Sequence, residues 1–453
     1  TSLVAPVIYI ADQDTYDVLE LYMTSPTSPG ASVKLNAPFV PGGYLSDYAV
    51  SPKGGAVFYT ADQDTLNRYE LYKVNIAAPG VATKLNAPLG VNRDVLDFVV
   101  SPDGTKVVYR ADPLGDNLYE LYLVDVAAPG VATKLNGPLV AGGWVRSNFE
   151  FSPDSTKVVY RADQDVVDTL ELFVVDVAAP GVSKQVNQPL VFGGNVYTAY
   201  HFSPDGSRIV YIADQDADDV LELYAVSVSL PGVSSRLNGP LTAGGDVCRF
   251  ELSPDSTRVA YCADQATDGV MELYTAAFAT PGVSAKLNPP LVAGGKVTPE
   301  YAFGPDSSFV AYIAEQSAVG VADLYRADVA TPGTAQQLNA PLVSGGKVLR
   351  FQIRPDGKHI GYIANQQTSG VYELFDVDFA IPGTSIKLSA SMSATGLSWF
   401  EYTKDSSAAI YLAAQRSDAG EVFTVDLAAP GVAAQVSGSL VSGGAVWDFT
   451  QLP

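Results

Sequence analysis

An internal repeat of about 50 residues runs through the whole chain of 453 residues. Its acidic landmark, followed in most copies by Leu and then Tyr or Phe, lies at Glu20, Glu70, Glu120, Glu171, Glu222, Glu272, Asp323, Glu373 and Glu421. The Pro of the turn sequence SPDG or its variants lies at Pro52, Pro102, Pro153, Pro204, Pro254, Pro305, Pro355 and Pro453, with Lys404 at the same position of one copy. Both landmarks give nine units. Repeats of this length are typical of propellers and solenoids, in which each unit packs against its neighbours.

Each unit predicts four short strands, as the copy that contains SPDGTKVVY illustrates. Segments 94–100 (DVLDFVV) and 106–112 (KVVYRAD) flank the SPDG turn, in which Pro presets φ and Gly accepts a positive φ. Segments 119–127 (YELYLVDVA) and 131–136 (VATKLN) flank a second turn at Pro-Gly. β-branched and aromatic residues fill these segments, and no helical apolar period is sustained. We therefore expect an all-β chain with almost no helix.

Two observations favour a closed propeller over an open solenoid. The second strand is apolar without alternation, as in 107–109 and 209–211, which is typical of a sheet buried on both faces between neighbouring blades. The chain also starts with the second strand of a unit (7–14) and stops after a first strand (445–451). We expect these two segments to pair in one blade and close the ring. The prediction is a nine-bladed β-propeller of four-stranded blades, forming a single domain over residues 1–453.

The repeat resembles that of a known family. SPDGTKVVY (101–109), SPDSTKVVY (152–160), SPDGSRIVY (203–211) and SPDSTRVAY (253–261), each followed by an acidic loop and ELY or ELF, are similar to the WD40-like Pro-Asp repeat of TolB-like propellers. They are also similar to the propeller repeats of prolyl-oligopeptidase-type enzymes. The resemblance covers essentially the whole chain. It implies that the strand before SPDG is the innermost of its blade, and nine blades exceed the common four to eight.

The charge of the chain limits its partners. The net charge is −22 and the pI is about 4.3, while the 27 basic residues are spread singly along the repeats. Nucleic acid is therefore not expected as a partner, because phosphate binding needs clustered Lys and Arg. No apolar run approaches the roughly 20 residues of a membrane helix, so no membrane span is expected. A secreted or periplasmic monomer is the expected form.

The loops between the second and third strands hold the candidate site residues. Four of them contain two aspartates separated by one residue, namely Asp12 and Asp14, Asp62 and Asp64, Asp163 and Asp165, and Asp214 and Asp216. Such hard oxygen ligands suit calcium, which makes calcium the one candidate cofactor. The favoured interpretation is structural, because a residue repeated at one blade position usually caps a turn or binds backbone amides. Together the acidic loops predict a face that attracts cations or basic peptides, or that only keeps the protein in solution.

The two cysteines, Cys248 and Cys262, lie in the first and second strands of one hairpin. A turn centred at Asp255 places them opposite each other, which allows a cross-strand disulfide. Two reduced thiols in the core are the alternative. A disulfide would indicate an oxidising compartment.

Catalysis has little support in the sequence. The histidines, His201 and His359, have no Cys or His partner at metal-ligand spacing, and no G-x-S-x-G motif occurs. The leading prediction is a non-enzymatic binding or scaffold propeller that takes a protein, peptide or glycan at the acidic loop face or the central channel. One alternative is a hydrolase or lyase that uses carboxylates on that face. The other is a recently amplified propeller without a specific ligand, suggested by the near-identical segments 78–89 and 128–139.

Overall fold

The regular structure of the chain consists of strands. A computed structural model describes residues 5–91, 93–113, 115, 118–392, 396–414 and 420–453, and every regular element in these ranges is a strand. Thirty-six strands form nine sheets of four in this part of the chain. No helix among the described residues has the length and apolar character needed to cross a membrane.

Each sheet is called a blade here, and the blades are numbered along the chain. Blade 1 holds β1 (Val7–Ala11), β2 (Glu20–Thr24), β3 (Ser32–Lys34) and β36 (Val446–Gln451). Blades 2 to 4 consist of β4 (Leu45–Val50), β5 (Ala56–Ala61), β6 (Glu70–Asn75), β7 (Ala82–Lys84); β8 (Val95–Val100), β9 (Lys106–Ala111), β10 (Glu120–Asp125), β11 (Ala132–Lys134); and β12 (Glu150–Phe151), β13 (Lys157–Ala162), β14 (Glu171–Asp176), β15 (Ser183–Gln185).

Blades 5 to 9 follow the same order. They consist of β16 (Val196–Phe202), β17 (Arg208–Ala213), β18 (Glu222–Ser227), β19 (Ser234–Arg236); β20 (Val247–Leu252), β21 (Arg258–Ala263), β22 (Glu272–Ala277), β23 (Ser284–Lys286); β24 (Val297–Phe303), β25 (Phe309–Ala318), β26 (Val321–Asp328), β27 (Gln336–Gln337); β28 (Val348–Ile353), β29 (His359–Ala364), β30 (Glu373–Asp378), β31 (Ser385–Lys387); and β32 (Leu397–Tyr402), β33 (Ala408–Ala413), β34 (Glu421–Asp426), β35 (Ala433–Gln435).

The sheet order confirms the predicted fold class. In blades 2 to 9 the four strands are neighbours in chain order, whereas blade 1 has the order β3-β2-β1-β36. The C-terminal strand therefore completes the blade that the N-terminal strand begins. The chain is a nine-bladed β-propeller of four-stranded antiparallel blades, with the closure that the sequence predicted.

The second strand of each blade is mostly buried, as its apolar composition predicted. All six residues of β5 are buried, and its Tyr59 stacks on Tyr72 of β6 with ring centroids 5.5 Å apart. The Tyr59 hydroxyl donates a hydrogen bond to Oε1 of Gln63 at 2.6 Å, which satisfies a polar group that burial would otherwise leave without a partner. The same aromatic stack recurs in blades 3 to 9.

The SPDG turns close the first hairpin of the blades as predicted. In blade 3 the Ser101 hydroxyl donates to Oδ1 of Asp103 at 2.6 Å and accepts the backbone N–H of Lys106 at 2.9 Å. Gly104 has a φ of 71°, which is the positive value that the turn requires. Ser155 replaces this glycine in blade 4, and its hydroxyl accepts the backbone N–H of Asp103 at 3.1 Å. The turns of blades 3 and 4 are thereby joined.

The chain divides into two compact units. One comprises Ile10–Met23, Val33–Ser235 and Leu452–Pro453, and the other comprises Thr1–Tyr9, Thr24–Ser32 and Arg236–Gln451. In the first unit, apolar clusters lie between successive blades from blade 2 to blade 5. In the second unit, equivalent clusters lie between successive blades from blade 6 to blade 9. In each unit the core therefore forms between neighbouring sheets.

Candidate functional site

The first carboxylate of each acidic loop binds backbone amides. Asp62 has no exposed surface, and its Oδ1 accepts the backbone N–H of Tyr44 at 2.6 Å. Its Oδ2 accepts the backbone N–H of Asn67 at 3.0 Å, a residue with a φ of 58°. Both oxygens are thus used to hold the acidic loop against the loop that contains the Gly-Gly pair. This arrangement matches the structural interpretation that the sequence favoured.

The other first carboxylates are placed in the same way. Asp163 accepts the backbone N–H groups of Trp144 and Asp168, and Asp214 accepts those of Asn195 and Asp219. Asp12 is buried and accepts the backbone N–H of Asp17 at 3.2 Å. The close contact of the two loops also explains the second glycine of the Gly-Gly pair. A Cβ on Gly143 would lie 2.2 Å from the carbonyl oxygen of Asp163.

The second carboxylate of each pair is exposed. In blade 1, Asp14 lies 2.8 Å from the Lys34 ammonium, which also lies 2.6 Å from Glu20. The hydrogen bond from Lys34 lowers the pKa of Asp14. Asp64 has the same relation to Lys84, at 2.9 Å. Asp165 and Asp216 occupy the equivalent exposed positions in blades 4 and 5.

The structure does not join the predicted pairs into larger carboxylate clusters. Among the described residues, three carboxylates, those of Asp214, Asp218 and Asp219, have oxygens within 4.8 Å of one another. This group includes Asp214 of the predicted set but not Asp216. Calcium binding at the acidic loops stays a prediction, which a thermal melt with and without a chelator would test.

The histidines contact carboxylates, His201 on the neighbouring blade 4 and His359 on its own blade. His201 lies in β16, is exposed, and has its Nδ1 2.8 Å from Oε2 of Glu150. His359 starts β29, and its Nδ1 lies 3.0 Å from Oδ2 of Asp356.

The cysteines lie at a β-bulge, which corrects the predicted register. Val247 is opposite Ala263 and Arg249 is opposite Cys262, so Cys248 is the extra residue of the bulge and not the direct partner of Cys262. The predicted register was wrong by one residue, because no residue type in the strand indicates the bulge. The structure links the two sulfur atoms in a disulfide across it, with the Cα atoms 5.6 Å apart.

We expect a thiol titration of the unfolded protein to find no free thiol until a reductant is added. The Cα separation lies within the range that disulfides adopt, and both cysteines are on one rigid hairpin. A variant with both cysteines changed to Ser is the matched control. Two free thiols in denaturant without reductant would contradict the expectation and restore the alternative of reduced thiols.

Arginines depart from the repeat in blades 3 and 4. The residue after the second-strand tyrosine is apolar in most blades but is Arg110 in blade 3 and Arg161 in blade 4. Arg110 is paired: its Nη2 lies 2.7 Å from Oδ2 of Asp97, and its Nε donates to Oδ1 of Asp97 at 3.0 Å. Its Nη1 also donates to the carbonyl oxygen of Val145 in blade 4 at 3.3 Å.

Blade 4 keeps the arginine but changes its surroundings. Nη1 of Arg161 donates to the carbonyl oxygen of Val196 at 3.0 Å, as Arg110 does to Val145. The residue before the first-strand aromatic, however, is Asn148 instead of an Asp, and its φ is 68°. The first strand is interrupted there, since β12 has two residues where β8 has six. The stretch from Val145 to Phe149 holds one more residue than its counterpart in blade 3, but blades 5 and 7 have the same length there and keep continuous first strands, β16 and β24. The interruption is therefore particular to the residues of blade 4.

A cavity of about 270 Å³ lies beside this interruption. We name it the Arg146–Arg161 cavity, and it is lined by Arg146, Arg161, Asp168, Leu170, Asn195 and Tyr197, together with Val196. The guanidinium of Arg146 stacks on Trp144, 3.7 Å from the ring centroid, and its Nη2 lies 3.7 Å from Oδ2 of Asp163. Burial lowers the pKa of Arg161, and the nearby charge of Arg146 lowers it further. The cavity therefore concentrates positive charge on a strongly acidic protein.

The cavity was not predicted from the sequence, although part of its signal is visible there. The two copies of KVVYRAD show arginine where most other copies have an apolar residue. The five residues from Val145 to Phe149, against four in blade 3, give no further sign, because blades 5 and 7 have the same spacing and continuous first strands. The contact of Arg146 with Trp144 had no such signal, because it depends on how the interrupted strand is placed.

Comparisons with known proteins show similarity of fold. No model of a protein family and no curated protein sequence matches the chain. A crystal structure of a eukaryotic initiation factor is 11% identical with a TM-score of 0.60, covering 99% of both chains. Dipeptidyl peptidase 4 from Porphyromonas gingivalis is 14% identical with a TM-score of 0.60, covering 85% of this chain and 59% of the peptidase. A putative TolB from Agrobacterium tumefaciens is 17% identical with a TM-score of 0.32, covering 53% of this chain and 80% of that one. At identities this low, the likeness to the initiation factor and to the peptidase shows similarity of fold alone.

Proposed function

We propose that this protein is a non-enzymatic binding module that takes its ligand at the Arg146–Arg161 cavity. One observation carries the proposal: the cavity lies where blade 4 departs from the repeat, with two arginines beside an interrupted first strand. Residues that serve only the fold are expected to recur from blade to blade. Residues that break the repeat and line a cavity have another use.

The polar residues that recur in the blades are engaged in hydrogen bonds with the backbone, which supports a binding function over catalysis at the acidic loops. The Asn of the KLN sequence accepts a backbone N–H through its Oδ1, as Asn86 does from Leu71 at 2.8 Å. The first Asp of the acidic loop accepts two such groups in blades 2 and 4. A hydrolase or lyase at these loops would need a carboxylate pair that is free to act on a substrate. The backbone contacts engage one member of each pair.

The position of the cavity agrees with the predicted binding face. Asp168 belongs to the acidic loop of blade 4, and Asn195 follows the Gly-Gly pair of the next loop. We propose a peptide-like or small organic partner at this face, and we assign the chain to TolB-like propellers on its Pro-Asp repeat. The dipeptidyl peptidase resembles this chain over 59% of its length, and its activity is not part of the proposal. The Cys248–Cys262 link favours a secreted or periplasmic protein, which we expect to be monomeric.

Filling the cavity is expected to abolish ligand binding without unfolding the protein. Leu170 lines the cavity, and blades 2 and 3 carry Tyr69 and Tyr119 at the same repeat position, so the fold accepts an aromatic residue there. The full-length wild type and Leu170→Tyr would be compared on peptide, glycan and organic-acid arrays. Hits would be measured by titration calorimetry.

The matched control is Leu221→Tyr, which makes the same change at the same repeat position of blade 5. The proposal predicts that ligands of the wild type also bind Leu221→Tyr but not Leu170→Tyr. Equal binding to all three proteins would place the ligand elsewhere. Turnover of an array compound by the wild type would contradict the non-enzymatic assignment.

A further inference from the structure

Arg161 has lost the carboxylate that its counterpart in blade 3 retains. Arg110 and Arg161 occupy the same repeat position and each donates to a carbonyl oxygen of the next blade. Asp97 neutralises Arg110 through three hydrogen bonds. In blade 4 the equivalent residue is Asn148, which carries no charge. Among the described residues, Arg161 forms no ion pair.

The guanidinium of Arg161 is also short of hydrogen-bond acceptors. Its Nε is buried and has no partner within the described part of the chain, and the Nε of Arg146 is in the same state. A buried or half-buried arginine without an acceptor is unfavourable, because it has lost water and gained no replacement. An acceptor supplied by a ligand would remove this cost.

Arg146 adds a second positive charge that is only partly compensated. Oδ2 of Asp163, 3.7 Å from Nη2 of Arg146, also accepts the backbone N–H of Asp168 at 3.4 Å. Oδ1 of Asp163 accepts the backbone N–H of Trp144. The buried carboxylate is therefore shared between the loop backbone and Arg146. Two guanidinium groups remain available to one cavity.

Charge and size select the class of ligand. The lining side chains of Arg146, Arg161 and Asp168 carry one net positive charge, and Asp163, 3.7 Å from Arg146, offsets part of it. A single carboxylate therefore matches the cavity better than a phosphate dianion. Leu170, Val196 and Tyr197 supply an apolar wall, and a volume of about 270 Å³ holds a group of amino-acid size. The planar guanidinium binds a carboxylate through two parallel hydrogen bonds.

We propose that the Arg146–Arg161 cavity binds the carboxylate of a peptide C-terminus or of a small organic acid. The ligand carboxylate takes at Arg161 the role that Asp97 takes at Arg110. This inference rests on the proposed binding function and names the chemistry of its ligand.

The test restores the missing carboxylate within the chain. Asn148→Asp places an acid at the repeat position of Asp97, and Asp tolerates the positive φ found there nearly as well as Asn. The probes are an acetylated Ala-Ala-Leu peptide with a free C-terminus, the same peptide with an amidated C-terminus, 4-methylpentanoate and inorganic phosphate. Binding to the full chain is measured by calorimetry at one ionic strength.

We expect a carboxylate probe to bind the wild type and to bind Asn148→Asp about ten- to a hundredfold more weakly. Arg161→Gln should weaken binding similarly, and its melting curve would show whether it is folded. Binding of the free peptide over the organic acid would identify a peptide C-terminus as the source, and the reverse would identify a small acid.

Several results would overturn the inference. These are equal binding of the free and amidated peptides, stronger binding of phosphate than of both carboxylates, unchanged binding to Asn148→Asp, and no binding of either carboxylate. If array ligands without a carboxylate bind the wild type and not Leu170→Tyr, the proposed function stands and the carboxylate inference fails. If carboxylates bind wild type and Leu170→Tyr equally, the cavity is not the site and both fail.

Discussion

Removal of residues 443–453 is expected to lower the free energy of unfolding by about 4–9 kcal/mol, because the deletion removes the buried side chains of Val446, Phe449 and Leu452. That amount is comparable to the whole stability of a typical domain, about 5–15 kcal/mol. The deletion also leaves β1 as an unpaired edge, and Val7 and Ile8 in that strand have no exposed surface in the intact protein. Urea unfolding monitored by circular dichroism would measure the loss.

A synthetic peptide of residues 443–453 provides the control. Added to the truncated chain, it should restore stability in proportion to its concentration, because it binds the folded state. A peptide with Phe449→Asp should restore much less, since it would bury a charge in place of the ring. An unfolding curve of the truncated chain that superimposes on that of the intact chain would show that β36 contributes no stability to blade 1.

Asp62→Ala is expected to lower the free energy of unfolding by about 2–4 kcal/mol, because the backbone N–H groups of Tyr44 and Asn67 lose their acceptor together. The effect should be large for one side chain because Asp62 has no exposed surface. It should appear in urea unfolding at neutral pH.

Two variants in the same loop family separate this cause from a general loss of charge. Asp64→Ala removes an exposed carboxylate whose partner is Lys84 and should cost about 0–1 kcal/mol. Asp62→Asn should fall between the two, because an amide has one acceptor oxygen. Blade 8 has an Asn at this repeat position, and Oδ1 of this residue, Asn365, accepts the backbone N–H of Lys347 at 2.6 Å. Similar losses for Asp62→Ala and Asp64→Ala would contradict the assigned role of Asp62.

The fold could be predicted because the same pattern of strand and turn residues occurs in nine copies. Segment 106–112 was predicted as a strand and β9 covers Lys106–Ala111, while 94–100 became β8 at Val95–Val100. Apolar segments, turn residues and spacing agree in nearly every copy, so an irregularity in one copy does not change the prediction. The predicted fourth strand, 131–136, was longer than the observed β11, because the chain turns from the sheet where Asn136 accepts the N–H of Leu121.

The candidate site could not be predicted in the same way, because it depends on what differs between copies. The carboxylates of the acidic loops drew attention because they recur in many copies. In the structure the first of them, such as Asp62, recurs because it accepts backbone N–H groups. An arginine combined with an uncharged Asn at these two repeat positions, as with Arg161 and Asn148, occurs in blade 4 alone. The loss of the carboxylate is recognised only by comparison with Arg110 and Asp97 in blade 3. The bulge at Cys248 was hidden for a different reason: it recurs at the same position in blades 2, 3, 8 and 9, and it leaves the apolar pattern of the strand unchanged.

The interrupted first strand of blade 4 gives this part of the molecule unusual freedom to diversify. Residues 147 and 148 lie outside the strand and are exposed, so they take no part in the pairing of β12 with β13. Substitutions there can alter what the Arg146–Arg161 cavity accepts while the sheet beside it stays intact. Uniform copies stabilise a repeat protein, whereas a new binding site requires copies that differ from one another. These two requirements conflict. Here the interrupted strand assigns them to different parts of the same blade.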